Sequence, residues 1–152
     1  MRMQGPEPDR IGRQIALAAK AVGRRADDEL AAHGSSLTDW IVLNAVCRCP
    51  GFIQRQLAAV MQIEGPTLTR HLDRMEAAGL IERSRDPSDR RILRVTATSK
   101  GAALREELLT TMDALDAHLV EGIPQRSLAT FRNVVDRIAA NAANTGDGVR
   151  HR

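Results

Sequence analysis

Residues 66–98 read PTLTRHLDRMEAAGLIERSRDPSDRRILRVTAT, and the pattern changes twice along them. From Pro66 to Ala78 the apolar residues Leu68, Leu72 and Met75 recur at helical spacing and form one stripe. Pro66 suits a first helical turn, where its missing N–H leaves nothing unsatisfied. Gly79 stops the helix. Two short extended segments follow, Ile81–Arg85 and Arg91–Ala97, separated by the turn signal Asp86-Pro87-Ser88-Asp89. A two-stranded ribbon is marginal alone, so this one must pack on helices.

Working towards the N-terminus, Gln62–Gly65 reads as a turn. Ile53–Met61 reads as a short helix with Ile53, Leu57 and Val60 inward. Pro50-Gly51 breaks the chain. Before it, Ser36 opens a helix running to about Arg48, with Asp39 three residues on as a capping box and Trp40, Leu43 and Val46 or Cys47 buried. A further helix spans Ile11–Leu30, its apolar positions Ile11, Ile15, Ala18, Val22, Ala26 and Leu30 recurring every three or four residues. Towards the C-terminus, Thr98 caps a long helix over about Ser99–Glu121, and Pro124 opens a last one to about Asn141. Residues 1–8 and 144–152 read as frayed or disordered ends.

Short helix, turn, helix, hairpin is the layout of a winged helix-turn-helix. The expected fold is therefore mainly α with a small two-stranded β-wing. The winged helix-turn-helix occupies 37–97 within a single domain, and flanking helices lie at 10–33 and 99–141. The composition agrees: of 152 residues 43% are hydrophobic but only 2% aromatic, too few aromatic side chains for a sandwich or barrel.

Charge points to the partner. The formal net charge is +3, and the basic residues are nearly all arginine, Lys20 and Lys100 being the exceptions. GC-rich codon usage gives the same bias, so position has to decide. At 100° per residue, Thr67, Arg70 and Arg74 fall on the exposed face of the 66–78 helix, with Thr69 at its flank. Such donors reach phosphates or guanine edges in a major groove. His71 lies near the core border. In the hairpin, Arg83, Arg85, Arg90, Arg91 and Arg94 stand against Asp86 and Asp89, a density that a merely solvated ribbon does not need. A projecting arginine suits a narrow minor groove, with Asp89 holding one guanidinium in a bidentate fork. Duplex DNA is the expected partner. The aromatic shortage argues against stacking on single-stranded bases.

Leu57-Ala58, Thr69-Arg70-His71-Leu72-Asp73-Arg74-Met75-Glu76, Gly79-Leu80-Ile81-Glu82-Arg83, Asp86-Pro87-Ser88-Asp89-Arg90-Arg91 and Thr98-Ser99-Lys100-Gly101 together resemble the MarR family of bacterial transcriptional regulators. The densest match covers about 53–101, and helix order extends it to about 10–141. Ser35-Ser36 departs from the family pattern, which has an apolar residue and then threonine there. The resemblance implies a homodimer with interlocking terminal helices. It also implies a repressor of a palindromic operator, with 66–78 in the major groove, the Asp89-x-Arg91 element as the wing motif and Arg90 or Arg91 in the minor groove. Arg85 is a further wing candidate. The charges accommodate a dimer: 101–121 is acidic and 10–25 basic.

The resemblance also implies release by a small aromatic or phenolic effector, for which Arg13, His33 and Trp40 are candidates. Cys47 and Cys49 raise the alternative of oxidant sensing, since Arg48 between them could favour a thiolate. A non-specific architectural DNA-binding protein is the other alternative. The sequence carries no Ser/His/Asp set, phosphate loop or paired carboxylates of an enzyme, and neither two cysteines nor His33, His71 and His118 have metal-ligand spacing. No metal or cofactor is expected. No apolar run is long enough for a membrane, Met1–Pro8 lacks the core of a secretory signal, and a cytoplasmic location is expected.

Overall fold

The computed structural model describes residues 10–144; of the ends expected to be frayed or disordered, 1–8 and 145–152 lie outside these residues, while Asn144 ends the last helix in a helical turn. The elements are α1 (Ile11–Ala31), α2 (Leu37–Arg48), β1 (Phe52–Ile53), α3 (Gln54–Met61), α4 (Gly65–Ala77), β2 (Ile81–Arg85), β3 (Leu93–Ala97), α5 (Ser99–Leu119) and α6 (Gln125–Ala143). They divide into two compact units, one ending at Asp113 and one beginning at Ala114.

In the first unit the capping residues act as the sequence predicts. Ser36 Oγ accepts from the Asp39 N–H (3.2 Å) and donates to the Asp39 carboxylate (2.9 Å), closing the first turn of α2. This accommodates Ser36, whereas the buried Ser35 hydroxyl has no hydrogen-bond partner among the described residues. Asp27 accepts from the Leu37 N–H (2.8 Å), tying α1 to the same turn. The core is formed by Leu30 from α1, Val42, Leu43 and Val46 from α2, Leu57 from α3, Leu68, Leu72 and Met75 from α4, Ile81 and Val95 from the sheet, and Leu108 from α5. Val60 differs from expectation and faces solvent. The short α3 has only a narrow buried face, which Leu57 fills, half-buried Ala58 and Met61 packing beside it.

The wing is antiparallel, with Ile81 opposite Ala97 and Arg85 opposite Leu93. The sheet has three strands, not two, because Phe52 and Ile53 pair with Val95 and Arg94 and give the order β1-β3-β2. Two residues are too short a run to show alternation in the sequence. The pairing binds the start of α3 to the strand that returns from the wing tip.

Thr98 joins the wing to α5. Its N–H donates to Leu80 O (3.1 Å) and its hydroxyl to Gly79 O (2.6 Å), while its Oγ1 accepts from the Gly101 N–H (3.0 Å). Gly79 takes φ +71°, the left-handed conformation that ends α4. The second unit contains the end of α5, a turn at Gly122 (φ +74°) and α6; Leu115 and Leu128 are its buried residues.

Candidate nucleic-acid interface

The helix α4 and the wing are joined by one arginine. Arg83, on β2, donates from Nη2 to Asp73 (2.6 Å) and to Glu76 (2.6 Å) of α4, and from Nε and its own N–H to Glu76 (3.0 and 2.9 Å). The side-chain hydrogen bond from Arg83 holds the Glu76 carboxyl below its ordinary range, and Glu76 in turn raises the guanidinium. Four hydrogen bonds from Arg83 thus tie the ribbon to α4.

The remaining ribbon arginines divide by role. Arg94 donates from Nε to Asp86 (2.5 Å) and from Nη1 to Gly51 O (3.0 Å). Asp86 is buried and also accepts from the Ser88 hydroxyl, the Ser88 N–H (2.8 Å) and the Asp89 N–H (3.2 Å). These bonds, led by the Ser88 hydroxyl, hold its carboxyl far below the usual carboxylate range. Arg85 donates to Arg90 O (2.7 Å) across the tip. Asp89 accepts from the Arg91 N–H (3.0 Å), Nε (3.1 Å) and Nη2 (3.3 Å), and the Arg91 side-chain hydrogen bond is the main cause of its lowered pKa. Arg91 is nevertheless 92% exposed, so it projects from the tip while bonded to Asp89. Arg90 is exposed. Arg83 and Arg94 thus build the ribbon, while Arg90 and Arg91 are the cations presented at its tip.

On α4, Arg70 is exposed and Thr67 half-buried. Thr69 turns inward: its hydroxyl donates to Gly65 O (3.0 Å) and accepts from Gln54 Nε2 (3.0 Å), bridging α3 and α4. Arg74 carries its guanidinium back to α2, where Nη2 lies 2.6 Å from Asp39 Oδ1 and Nη1 3.4 Å from Oδ2. Helical mapping placed these side chains by angle alone and could not register the partners Asp39 and Gln54, which come from other elements.

A cleft of about 720 Å³ lies between the wing tip and the first turns of α3 and α4. Ile53, Leu68 and Leu93 are among its apolar walls, and Arg55, Asp89 and Arg91 among its polar ones. Arg55 was absent from the sequence-derived set because it lies on α3, outside both the arginine-rich hairpin and the α4 face.

The effector candidates do not gather at this cleft. His33 lies 2.9 Å from Thr111 Oγ1 and 3.8 Å from Glu107, both on α5. Trp40 is half-buried against the core, and Arg13 is exposed on α1. Cys47 is half-buried and Cys49 exposed, both as free thiols. Burial pushes the Cys47 thiol up, opposing the nearby Arg105 charge, which is the reverse of what a reactive thiolate needs. No cluster of metal-ligating side chains occurs among the described residues, and no helix there is long and apolar enough to cross a membrane.

A helix-turn-helix whose second helix is pinned to a cationic, carboxylate-braced β-ribbon defines a winged-helix protein of the DNA-binding regulator class. Residues 33–92 match the sequence model of the MarR family. The chain is similar to a MarR-family transcriptional regulator from Rhodococcus sp. RHA1, with 28% identity, 90% of this chain and 96% of that chain covered, and a TM-score of 0.80. It is similar to CouR from Rhodococcus jostii RHA1 bound to p-coumaroyl-CoA, with 25% identity, 93% and 96% covered, and a TM-score of 0.77. It shares its fold with a MarR-family regulator from Listeria monocytogenes complexed with 26mer DNA, at 19% identity, 94% and 99% covered, and a TM-score of 0.82.

Proposed function

We propose that this chain is a dimeric repressor that reads a palindromic operator and is released by a small aromatic effector. The observation that carries the reading is the pairing of two exposed guanidiniums on one braced unit. Arg70 projects from α4, and Arg91 projects from the wing under the hold of Asp89. In this reading residues 37–97 form the DNA-reading unit. Arg70, with Thr67 beside it, meets the major groove, while Thr69 and Arg74 act by fixing α4. Arg90 and Arg91 serve the minor groove, where negative potential is strongest. Arg85 and Asp89 shape the tip.

Residues 10–33 and 99–141 are assigned to dimerisation. The helical stripes there leave Ile11, Leu17, Phe131 and Val134 exposed in a single chain, an apolar surface that a monomer would leave in water. The effector class rests on the likeness to the regulator crystallised with p-coumaroyl-CoA, whose acyl group is phenolic. Arg13, His33 and Trp40 remain the candidate contacts. A reduced cytoplasmic setting fits the two free thiols.

The test compares binding of the protein to duplex DNA from its own upstream region and to a scrambled duplex at physiological salt. A repressor prefers its operator by a factor of about 10³ or more. Arg70→Ala removes that preference, and Arg91→Ala weakens binding with a shallower salt dependence. Equal affinity for both duplexes would favour an architectural binder instead.

A further inference from the structure

We infer that the cleft between the wing tip and α3 straddles one phosphodiester strand of the operator, with Arg55 as the contact on the α3 side. The inference rests on the reading of α4 as the major-groove element and of the wing as the minor-groove element. The two grooves of a duplex are separated by a sugar-phosphate strand. A protein that enters both grooves with adjacent elements must let that strand pass between them. The space between α4 and the wing tip is the cleft of about 720 Å³, and α3 contributes its remaining wall.

The charge of the rim fits this occupant. Arg91 stands on one side and Arg55 on the other. The one acid among the cleft's lining residues, Asp89, already accepts from Arg91 through its backbone N–H and two guanidinium nitrogens. Arg55 is exposed, and among the described residues no carboxylate is bonded to it. A strand carrying one negative charge about every 3.4 Å meets both cations as it crosses.

Arg55 is also held in place relative to both reading elements. Ile53, two residues before it, pairs with Arg94 of the strand that returns from the wing tip. Gln54, its neighbour, donates to Thr69 of α4 (3.0 Å). Gln56, the next residue, accepts from the Ile53 N–H (3.2 Å) and closes the first turn of α3. The backbone bearing Arg55 is thus fixed to the wing on one side and to α4 on the other. An arginine so placed is a register-setting phosphate contact with no view of the bases.

The experiment measures affinity of the full-length protein for its upstream operator and for a scrambled duplex across a salt series. The variants are Arg55→Ala, Arg55→Lys and, as a reference, Arg91→Ala. Arg55→Ala is expected to weaken both duplexes by the same factor, about three- to tenfold per subunit at physiological salt, and to reduce the salt slope by about one per subunit. Arg55→Lys restores the slope. Circular dichroism and urea midpoint stay at the wild-type values because the side chain is exposed. Unchanged affinity and slope in Arg55→Ala, with Arg91→Ala still impaired, overturn the inference and leave the repressor reading standing. A loss confined to the operator also overturns it, since that marks base reading. Wild-type protein that binds neither duplex overturns the repressor reading itself, and this inference with it.

Discussion

Arg74 Nη2 lies 2.6 Å from Oδ1 of Asp39, so the α4 helix is moored to the first turn of α2 through a carboxylate that is only 3% exposed. The same carboxylate accepts from Ser36, which caps α2. Removing Arg74 leaves a buried charge with its hydroxyl partner alone. A fully buried pair would cost more, but Arg74 is 56% exposed, and solvent screening reduces the loss to about 1–2 kcal/mol. Arg74→Ala should therefore lower stability in urea denaturation, and Asp39→Ala should cost a similar amount. The double variant should fall short of the sum by at least about 0.5 kcal/mol. Additive losses would show that the two side chains are not coupled.

Gly101 is required by packing and not by backbone angle. A Cβ added there would lie 1.9 Å from Leu80 O and 3.2 Å from a Leu43 methyl. The obstacle is backbone just before β2, which cannot rotate aside as a side chain can. Gly101→Ala is expected to destabilise by about 2–3 kcal/mol, at the upper end of ordinary overpacking. Thermal unfolding measures this, and an unchanged midpoint would mean that α5 can lift from Leu80 without cost.

How far the fold could be read from sequence depends on the kind of information each part needs. The helices were legible because Leu68, Leu72 and Met75, or Ala26 and Leu30, carry a period that one strand of text displays. The caps at Ser36 and Thr98 were legible because their partners lie three residues away. The strand β1 was not, because two residues cannot show a period. Val60 was placed inward because periodicity marks a face without saying how wide its buried part is. At the candidate site, Asp89 and Arg91 are near in sequence and their fork was foreseeable. The mooring of Arg74 by Asp39 and of Thr69 by Gln54 spans many residues, and only folding brings those partners together. Counting arginines gave the sign of the surface but not the division between Arg83 and Arg94, which brace, and Arg90 and Arg91, which project.

The two thiols should differ in reactivity in the order opposite to a sensor built on Cys47. Burial raises the Cys47 pKa and shields its sulfur, whereas Cys49 is exposed. At neutral pH, iodoacetamide should label Cys49 well before Cys47, as mass spectrometry of the digested protein would read. Cys47→Ser should leave DNA binding and its response to peroxide unchanged. Loss of a peroxide response in that variant would restore the oxidant-sensing alternative.

Asp86 should act on DNA binding although its side chain is buried. It is buried beneath the tip and receives Ser88, the Asp89 N–H and Arg94, which itself reaches Gly51 O. Its folded pKa lies below the unfolded value of about 4. A depressed carboxyl pKa contributes stability that is fully present above the unfolded pKa and is lost as pH falls through the folded one. The contribution of Asp86 to wing stability is therefore constant from about pH 5 upward, and is lost progressively below about pH 4 as pH falls towards the depressed folded pKa. Asp86→Asn keeps the shape but removes the charge that orients Arg94 and weakens the acceptor for Ser88. Binding to operator DNA should weaken several-fold at pH 7 while circular dichroism stays unchanged. If Asp86 works by positioning the tip, adding Arg91→Ala to Asp86→Asn should cost less than Arg91→Ala costs alone. Fully multiplicative losses in anisotropy titrations would separate Asp86 from the wing's contact with DNA.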